Sequence, residues 1–474
     1  MGRDIHEECG VIGIYEGHNA DVAHSAYLAL YALQHRGQES CGIAVCDDGV
    51  FSQVKGMGLV SEVFDKSALK RAGEGRMAIG HVRYSTTGVN NYSNIQPLTV
   101  RHTKGNLALA HNGNLVNSFE LRREFELGGA IFRGTSDTEA MAYTIVSERL
   151  KAASTEEAIK NAMRRIRGAY SCVVMTATKL IAFRDPTGFR PLCIGKTADG
   201  GCAVASESCA LDAIGAHFLR DVLPGEIVVI DESGIKSIRD NCAGKGKICV
   251  FEYIYFARPD SVIEGAPVHL ARKKAGELLA KRHGADADIV IGVPDSGIDA
   301  ALGYAQESGI PYGIGFVKNK YIGRSFIKPD SESRRDTVNI KLNVIKSNIE
   351  GKRVVMIDDS VVRGTTSKKI VSLLRDAGAK EVHMRISAPP FRYPCYFGTD
   401  IDSQENLIAC KFGSEREIAA ELGADSLGYL SVEDVHSIAE AHGIGFCDGC
   451  FSGSYPVEPP RFKGKDKFEE KIHR

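Results

Sequence analysis

No stretch of this chain is apolar for the roughly 20 residues that a membrane-spanning helix requires. The formal net charge is −1 over 474 residues, so no overall field draws it to nucleic acid or to a lipid surface. The first nine residues, MGRDIHEEC, are polar and charged and lack the apolar core of a secretory signal. There is no internal repeat, no low-complexity linker and no Gly-x-x-x-x-Gly-Lys-Ser/Thr phosphate loop. The expected compartment is the cytoplasm. Cysteine, by contrast, is plentiful at 13 residues. In a reducing compartment these read as thiols, metal ligands or nucleophiles, not as a disulfide framework. Cys172, Cys193 and Cys202 sit in apolar strand-like runs and read as small buried hydrophobes.

The length suggests two domains or more, and a hydrophobic content of 43% can fill their cores. From Cys9 to about residue 240, short strand patterns (Gly10–Tyr15, Gly42–Cys46, Met77–Val82, Leu107–His111, Ser171–Met175) are interleaved with helical ones (Ala20–Gln34, Ser118–Gly128, Asp137–Ala152, Thr155–Arg167). This is the texture of a layered α+β domain. From Lys247 to about residue 462 strands and helices alternate, with strands at Asp288–Val293, Gly313–Val317, Arg353–Ile357 and Glu381–Ile386. That is α/β, a doubly wound parallel sheet that binds ligands beyond the carboxyl ends of its strands. Residues 463–474 read as a charged tail.

Val354–Ser367, VVMIDDSVVRGTTS, is the most informative stretch. An apolar strand runs into Asp358 and Asp359, then into the loop Ser360 to Thr366, whose Ser360, Gly364, Thr365 and Thr366 are small hydroxyl and glycine residues beside Arg363, then into a helix. A helix N-terminus offers backbone N–H groups to a phosphate. Paired carboxylates suit ribose hydroxyls and Mg²⁺, which prefers carboxylate and phosphate oxygens. The plain alternative, a buried strand with a polar turn, does not require so long a pattern. A second loop, Pro294-Asp295-Ser296-Gly297, lets the backbone approach a pyrophosphate, and Ser296 could add an oxygen to the metal. Between the two lies Lys318–Lys346, with Lys318, Lys320, Arg324, Lys328, Arg334, Arg335 and Lys341 and little apolar periodicity. It reads as a lid over the leaving group.

The first half carries other patterns: Cys9-Gly10 before a strand, Gln34–Ser40 around Arg36, Gly80–Gly88 with Arg83 and Tyr84, His111–Leu115 with Asn112 and Gly113, and Gly134–Glu139 with Ser136 or Asp137 as helix cap. A lone thiol at a strand start is most simply a buried residue. Cys447-Asp448-Gly449-Cys450, with Cys249 and Cys395 elsewhere in loop-like contexts, suits a redox pair, zinc or an iron–sulfur cluster by chemistry alone.

Asp358–Thr366 resembles the binding signature of phosphoribosyltransferases of type I, which use phosphoribosyl pyrophosphate (PRPP). The first-half motifs resemble class II glutamine amidotransferases, which are N-terminal nucleophile hydrolases with a four-layer αββα fold. Together, from Cys9 to Pro459, the chain is similar to the amidophosphoribosyltransferases, and within them to the iron–sulfur, propeptide-processed type. The resemblance implies hydrolysis of glutamine and use of the ammonia to convert PRPP to phosphoribosylamine and pyrophosphate, the committed step of purine synthesis. It implies Cys9 as nucleophile and Asn112 and Gly113 as oxyanion donors. Arg36, Arg83, Tyr84 and Asp137 would lie around the glutamine, with Arg83 on its α-carboxylate and Asp137 on its α-ammonium.

PRPP would lie on Asp295, Ser296, Gly297, Asp358, Asp359, Ser360, Arg363, Gly364, Thr365 and Thr366, with Mg²⁺ near Ser296, Asp358 and Asp359. A 4Fe–4S cluster would be held by Cys249, Cys395, Cys447 and Cys450. Residues 1–8 would be a propeptide whose removal frees the Cys9 amine. Such an amine has a pKa near about 8 and suits a general base. Purine nucleotide inhibitors and a homo-oligomer, tetramer or dimer, are implied as well. Asp185–Leu192 fits the family as a structural turn. A glutaminase serving another acceptor, and a non-enzymatic PRPP sensor, are the competing classes. The first conflicts with Asp358–Thr366, and the second has no need of Cys9, Arg83, Asn112 and Asp137.

Overall fold

The computed structural model describes residues 9–84, 91–242, 244–319, 342–399, 401, 403–441 and 443–460. The expected propeptide, Ser85–Gly88, the lid residues Lys320 to Lys341 and the charged tail lie outside the described residues.

Alternating burial builds the first half. In the strand Gly10–Ala20, Ile12 and Ile14 face one way and Val11 the other, as the period of two requires. Ile12 and Ile14 pack under the helix Val22–Ala32. Val11 joins Ile79, Ala110, Val173 and Val228 in a core shared by two sheets. Among the described residues one sheet has seven strands and the other six, all antiparallel. The helices Asp137–Lys151 and Thr155–Met163 cover the outer face of the six-stranded sheet through Met141, Ile145 and Ile159. The result is the expected αββα stack. The helix expected over Ala20–Gln34 is shorter, because Ala20 still pairs with Gly75 in the sheet and Asp21 caps the helix through His24 N.

In the second half the strands Ile289–Gly292, Arg353–Asp358, Glu381–Ile386 and Ser426–Tyr429 are parallel neighbours in that order. A parallel bridge from Val290 to Tyr312 adds the chain on the far side of the first strand. Strand order therefore reverses between Ile289–Gly292 and Arg353–Asp358, the switch point where such sheets bind ligands. The strand expected over Gly313–Val317 is displaced: Phe316–Lys318 instead forms an antiparallel ribbon with Leu342–Val344, the two ends of the Lys318–Lys346 segment.

The halves are joined by more than a linker. Lys247–Cys249 pairs in parallel with Gly445–Cys447, so the start of the second half is bound to its end. The Asp185–Leu192 turn then receives it: Thr187 O accepts from Lys247 N at 2.6 Å and Phe189 O from Cys249 N at 3.1 Å. Phe189 stacks on Phe397 with ring centroids 4.2 Å apart, and Arg190 donates to the Phe397 carbonyl at 2.7 Å.

Candidate active sites and their relatives

Cys9 precedes the central strand of the seven-stranded sheet and is buried. Its thiol donates to the Tyr84 carbonyl at 3.4 Å, and its own carbonyl accepts from Arg36 Nε at 3.0 Å. Arg83 and Tyr84, at the end of the neighbouring strand Gly75–Arg83, are buried beside it. Gly37 belongs here by size, since a Cβ on it would stand 2.7 Å from the Arg83 backbone.

Asn112 and Gly113 come from the other sheet, on the strand Gly105–Leu115. Asn112 is 1% exposed, and neither atom of its amide has a hydrogen-bond partner among the described residues. A buried amide left without partners costs about 1–3 kcal/mol, so it marks a place where a ligand completes the bonding. Gly113 has φ +139°, and a Cβ there would stand 2.1 Å from the Ala169 carbonyl oxygen. Only glycine lets the chain turn its backbone at that point. Asp137 opens its helix behind Ser136, which is the actual cap through Thr138 N. One Asp137 oxygen accepts from Leu115 N at 2.9 Å, and the other lies 3.8 Å from His111 Nδ1. The chain thus brings a thiol, an unpartnered amide donor, a cation and a carboxylate to one end of the sandwich.

Two residues that sequence reasoning missed complete this neighbourhood. Arg36 Nη1 donates to Glu207 at 2.5 Å, and the same guanidinium bonds both oxygens of Glu252. Glu207 also accepts from His35 at 2.8 Å, from Ser261 at 2.7 Å and from Arg258 N at 2.9 Å. Although burial alone opposes its charge, His35 and Arg36 hold its carboxyl far below the ordinary range. A lone Glu in a loop-to-helix segment gives no sequence signal for this, because the partners lie up to 172 residues away.

At the switch point the two expected loops meet. Ser296 Oγ donates to Asp359 at 2.6 Å, Ser360 Oγ donates to the other Asp359 oxygen at 2.5 Å, and Asp359 N donates to Asp358 at 3.0 Å. Asp358 and Asp359 are both buried. Burial pushes the Asp359 carboxyl up, against the pull of the two serines and of Arg272. Gly297 opens the next helix with its Cα against the Ile357 carbonyl, where a Cβ would sit at 2.4 Å. Gly364, at φ +83°, caps the helix Thr365–Asp376 and, as glycine, brings no side-chain oxygen to its first N–H groups. The helix begins two residues earlier than expected and so takes Thr365 and Thr366 into its first turn. Lys318 pairs with Asp295 at the rim.

Cys249 stands opposite Cys447 in the two-stranded ribbon, and Cys450 follows on the short helix Gly449–Ser452. Cys395, Cys249 and Cys447 all oppose ionisation of Cys450, after burial, so the four thiols share one neighbourhood. Burial likewise pushes the Cys447 thiol up to about 12. Among the described residues no three His, Cys, Asp or Glu side chains already stand in metal-binding geometry. Cys410 donates to the Arg392 carbonyl at 3.4 Å.

A glutamine amidotransferase domain model matches residues 81–213, and a phosphoribosyl transferase domain model matches residues 268–389. The amidophosphoribosyltransferase of Bacillus subtilis is 48% identical over 461 residues, covering 96% of this chain and 95% of that protein. The chain belongs to the amidophosphoribosyltransferase family. It is also 47% identical to the Methanocaldococcus jannaschii member over 465 residues (95% of this chain, 98% of that one) and 46% identical to a chloroplastic member from Glycine max over 460 residues (97% and 80%). A solved glutamine PRPP amidotransferase from B. subtilis, complexed with ADP and GMP, superposes with a TM-score of 0.88 at 47% identity, covering 95% of this chain and 98% of that one. A structure described as the allosteric regulatory enzyme of purine biosynthesis superposes at 0.90 with 46% identity, over 98% and 99%. The expected glutaminase and phosphoribosyltransferase folds, the enzyme class and the link to purine biosynthesis therefore hold. No helix among the described residues is long and apolar enough to cross a membrane.

Proposed function

We propose that this member of the amidophosphoribosyltransferase family divides its reaction between residues 9–240 and residues 247–462. Cys9 attacks the glutamine carboxamide, and its freed α-amine takes the thiol proton. The tetrahedral oxyanion is met by the Asn112 amide and Gly113 N–H, ammonia leaves, and water clears the thioester. Arg83 and Asp137 bind the glutamine α-carboxylate and α-ammonium, while Arg36 and Tyr84 shape the pocket. This requires release of residues 1–8, so maturation is part of the reading.

In the second site ammonia displaces pyrophosphate at the ribose C1. Asp358 and Asp359 face the ribose, while the Asp295–Gly297 and Ser360–Thr366 backbones and Arg363 bind the phosphates. The oxygens of Ser296, Asp358 and Asp359 fit Mg²⁺, which when bound supplies charge neutralisation for the leaving group. Lys318 and the following segment serve as the lid. A purine nucleotide carries its own ribose phosphate and so fits the same loops as an inhibitor. A homo-oligomer, tetramer or dimer, completes the reading.

The cysteine group fits an all-thiolate 4Fe–4S centre: four thiols lie together, and burial opposes the charge of Cys447 and Cys450 unless a cation neutralises it. Its role is structural, tying residue 249 to residues 395–450.

The observation that carries the two-site reading is the Ser296–Asp359 hydrogen bond, which joins the two loops where strand order reverses. Asp358→Asn tests it. PRPP-dependent synthesis should collapse with either nitrogen source while basal glutaminase persists. Normal synthesis from both sources would overturn the assignment.

A further inference from the structure

Glu252 opens the Glu252–Phe256 turn, a single π-helical segment at the entry to the phosphoribosyl half. Its side chain is fully buried, and both its oxygens face the glutaminase half. Arg36 Nη2 donates to one at 2.9 Å and Arg36 Nη1 to the other at 3.0 Å. Arg190, also of the glutaminase half, adds a bond at 3.2 Å. Arg36 Nε holds the Cys9 carbonyl at 3.0 Å. A guanidinium is planar, and a two-point bond to a carboxylate fixes its plane. Glu207 of the glutaminase half also holds Arg36 Nη1, at 2.5 Å, but of these two carboxylates only Glu252 bonds both terminal nitrogens, so the direction of Nε, and with it the seat of the Cys9 backbone, depends on where Glu252 stands. Arg272 fixes that turn in its own domain through the carbonyls of Tyr253, Tyr255 and Ala257, at 2.9, 2.9 and 2.7 Å.

From this chain of contacts we propose that Glu252 is a positioning residue for the glutaminase reaction, supplied by the phosphoribosyl half. The nucleophile is then fully set only when the two halves are docked. Both the thiol and the amine that would deprotonate it belong to Cys9, so a shift of its backbone moves nucleophile and base together. The inference rests on Cys9 being that nucleophile.

The test compares full-length, mature Glu252→Gln with the parent. The amide is nearly isosteric but carries no charge and cannot accept at both atoms. A thiol-alkylating glutamine analogue should label Cys9 at least about tenfold more slowly, and glutaminase kcat should fall by a similar factor, since small misplacements of reacting groups cost up to about a hundredfold. The glutamine KM should stay within about threefold, because Glu252 does not touch the substrate. Ammonia-dependent synthesis should stay within about twofold, because that site is intact. Glu252→Asp, which keeps the charge, should recover part of the labelling rate, and it replaces the Gln variant if that one does not fold. Labelling at the parental rate, or loss of ammonia-dependent synthesis in the same proportion, would overturn the proposal. Cys9→Ala is assayed in parallel: glutamine use surviving there would sink the nucleophile assignment itself, a failure distinct from that of Glu252.

Discussion

Asn112→Leu should raise stability while removing glutaminase activity. The side chain is 1% exposed and both amide atoms lack partners among the described residues. Leucine has nearly the same shape and no polar atom, so the fold is relieved of a penalty of about 1–3 kcal/mol. For a domain of this size each kcal/mol shifts Tm by about 2–4 °C, so the variant should melt several degrees higher. The same change deletes the proposed oxyanion donor, which should lower kcat by about 10²–10³. Ammonia-dependent synthesis should be untouched. Differential scanning calorimetry on the mature enzyme, with glutamate release and ammonia-dependent synthesis assayed in parallel, reads all three. A variant that melts lower yet keeps glutaminase would show that Asn112 is an ordinary packed residue and refute the reasoning.

Three further outcomes follow from the same geometry. Gly113→Ala puts a Cβ 2.1 Å from the Ala169 carbonyl in a left-handed backbone, and chemical denaturation should show a loss of at least about 2 kcal/mol. Burial and the neighbouring Glu264 push the Asp221 carboxyl up to about 7, with Arg184 pulling against them. The unfolded carboxyl titrates near about 4, so folding takes up a proton between those values and stability should fall as pH rises from about 4 to 7. Asp221→Asn should flatten that slope in a Tm–pH series, and an unchanged slope would rule Asp221 out. Cys450→Ser in anaerobically purified protein should lower both bound iron and inorganic sulfide and reduce Tm. One tightly held zinc with no iron in the parent protein would make this a zinc site.

Much of both sites is legible in sequence because the residues are clustered along the chain. Asp358–Thr366 is one strand, loop and helix start, and the sheet period of two places Asp358 and Asp359 at a strand end whatever the rest of the fold does. Cys447 and Cys450 are likewise local. What local pattern does not carry is the partner across the molecule. Glu207 and Glu252 are unremarkable glutamates until the fold lays them on Arg36. The Asp185–Leu192 segment reads as a turn between strands and is one, from Arg184 to Cys193, but its carbonyls also receive Lys247 and Cys249. The Gly313–Val317 strand failed for a similar reason. Its apolar residues fit a sheet, yet Phe316–Lys318 finds its partner in Leu342–Val344, beyond the segment the period could follow.

The central claim is that one chain holds two separable reaction sites, and Cys9→Ala tests it most directly. Phosphoribosylamine formation should be measured in that variant with glutamine and, separately, with ammonia as nitrogen source. The account predicts loss of the glutamine-dependent rate by a factor of about 10⁴ or more, as for removal of other catalytic nucleophiles, with the ammonia-dependent rate within about twofold of the parent. Equal loss of both rates in a protein of unchanged Tm would contradict it.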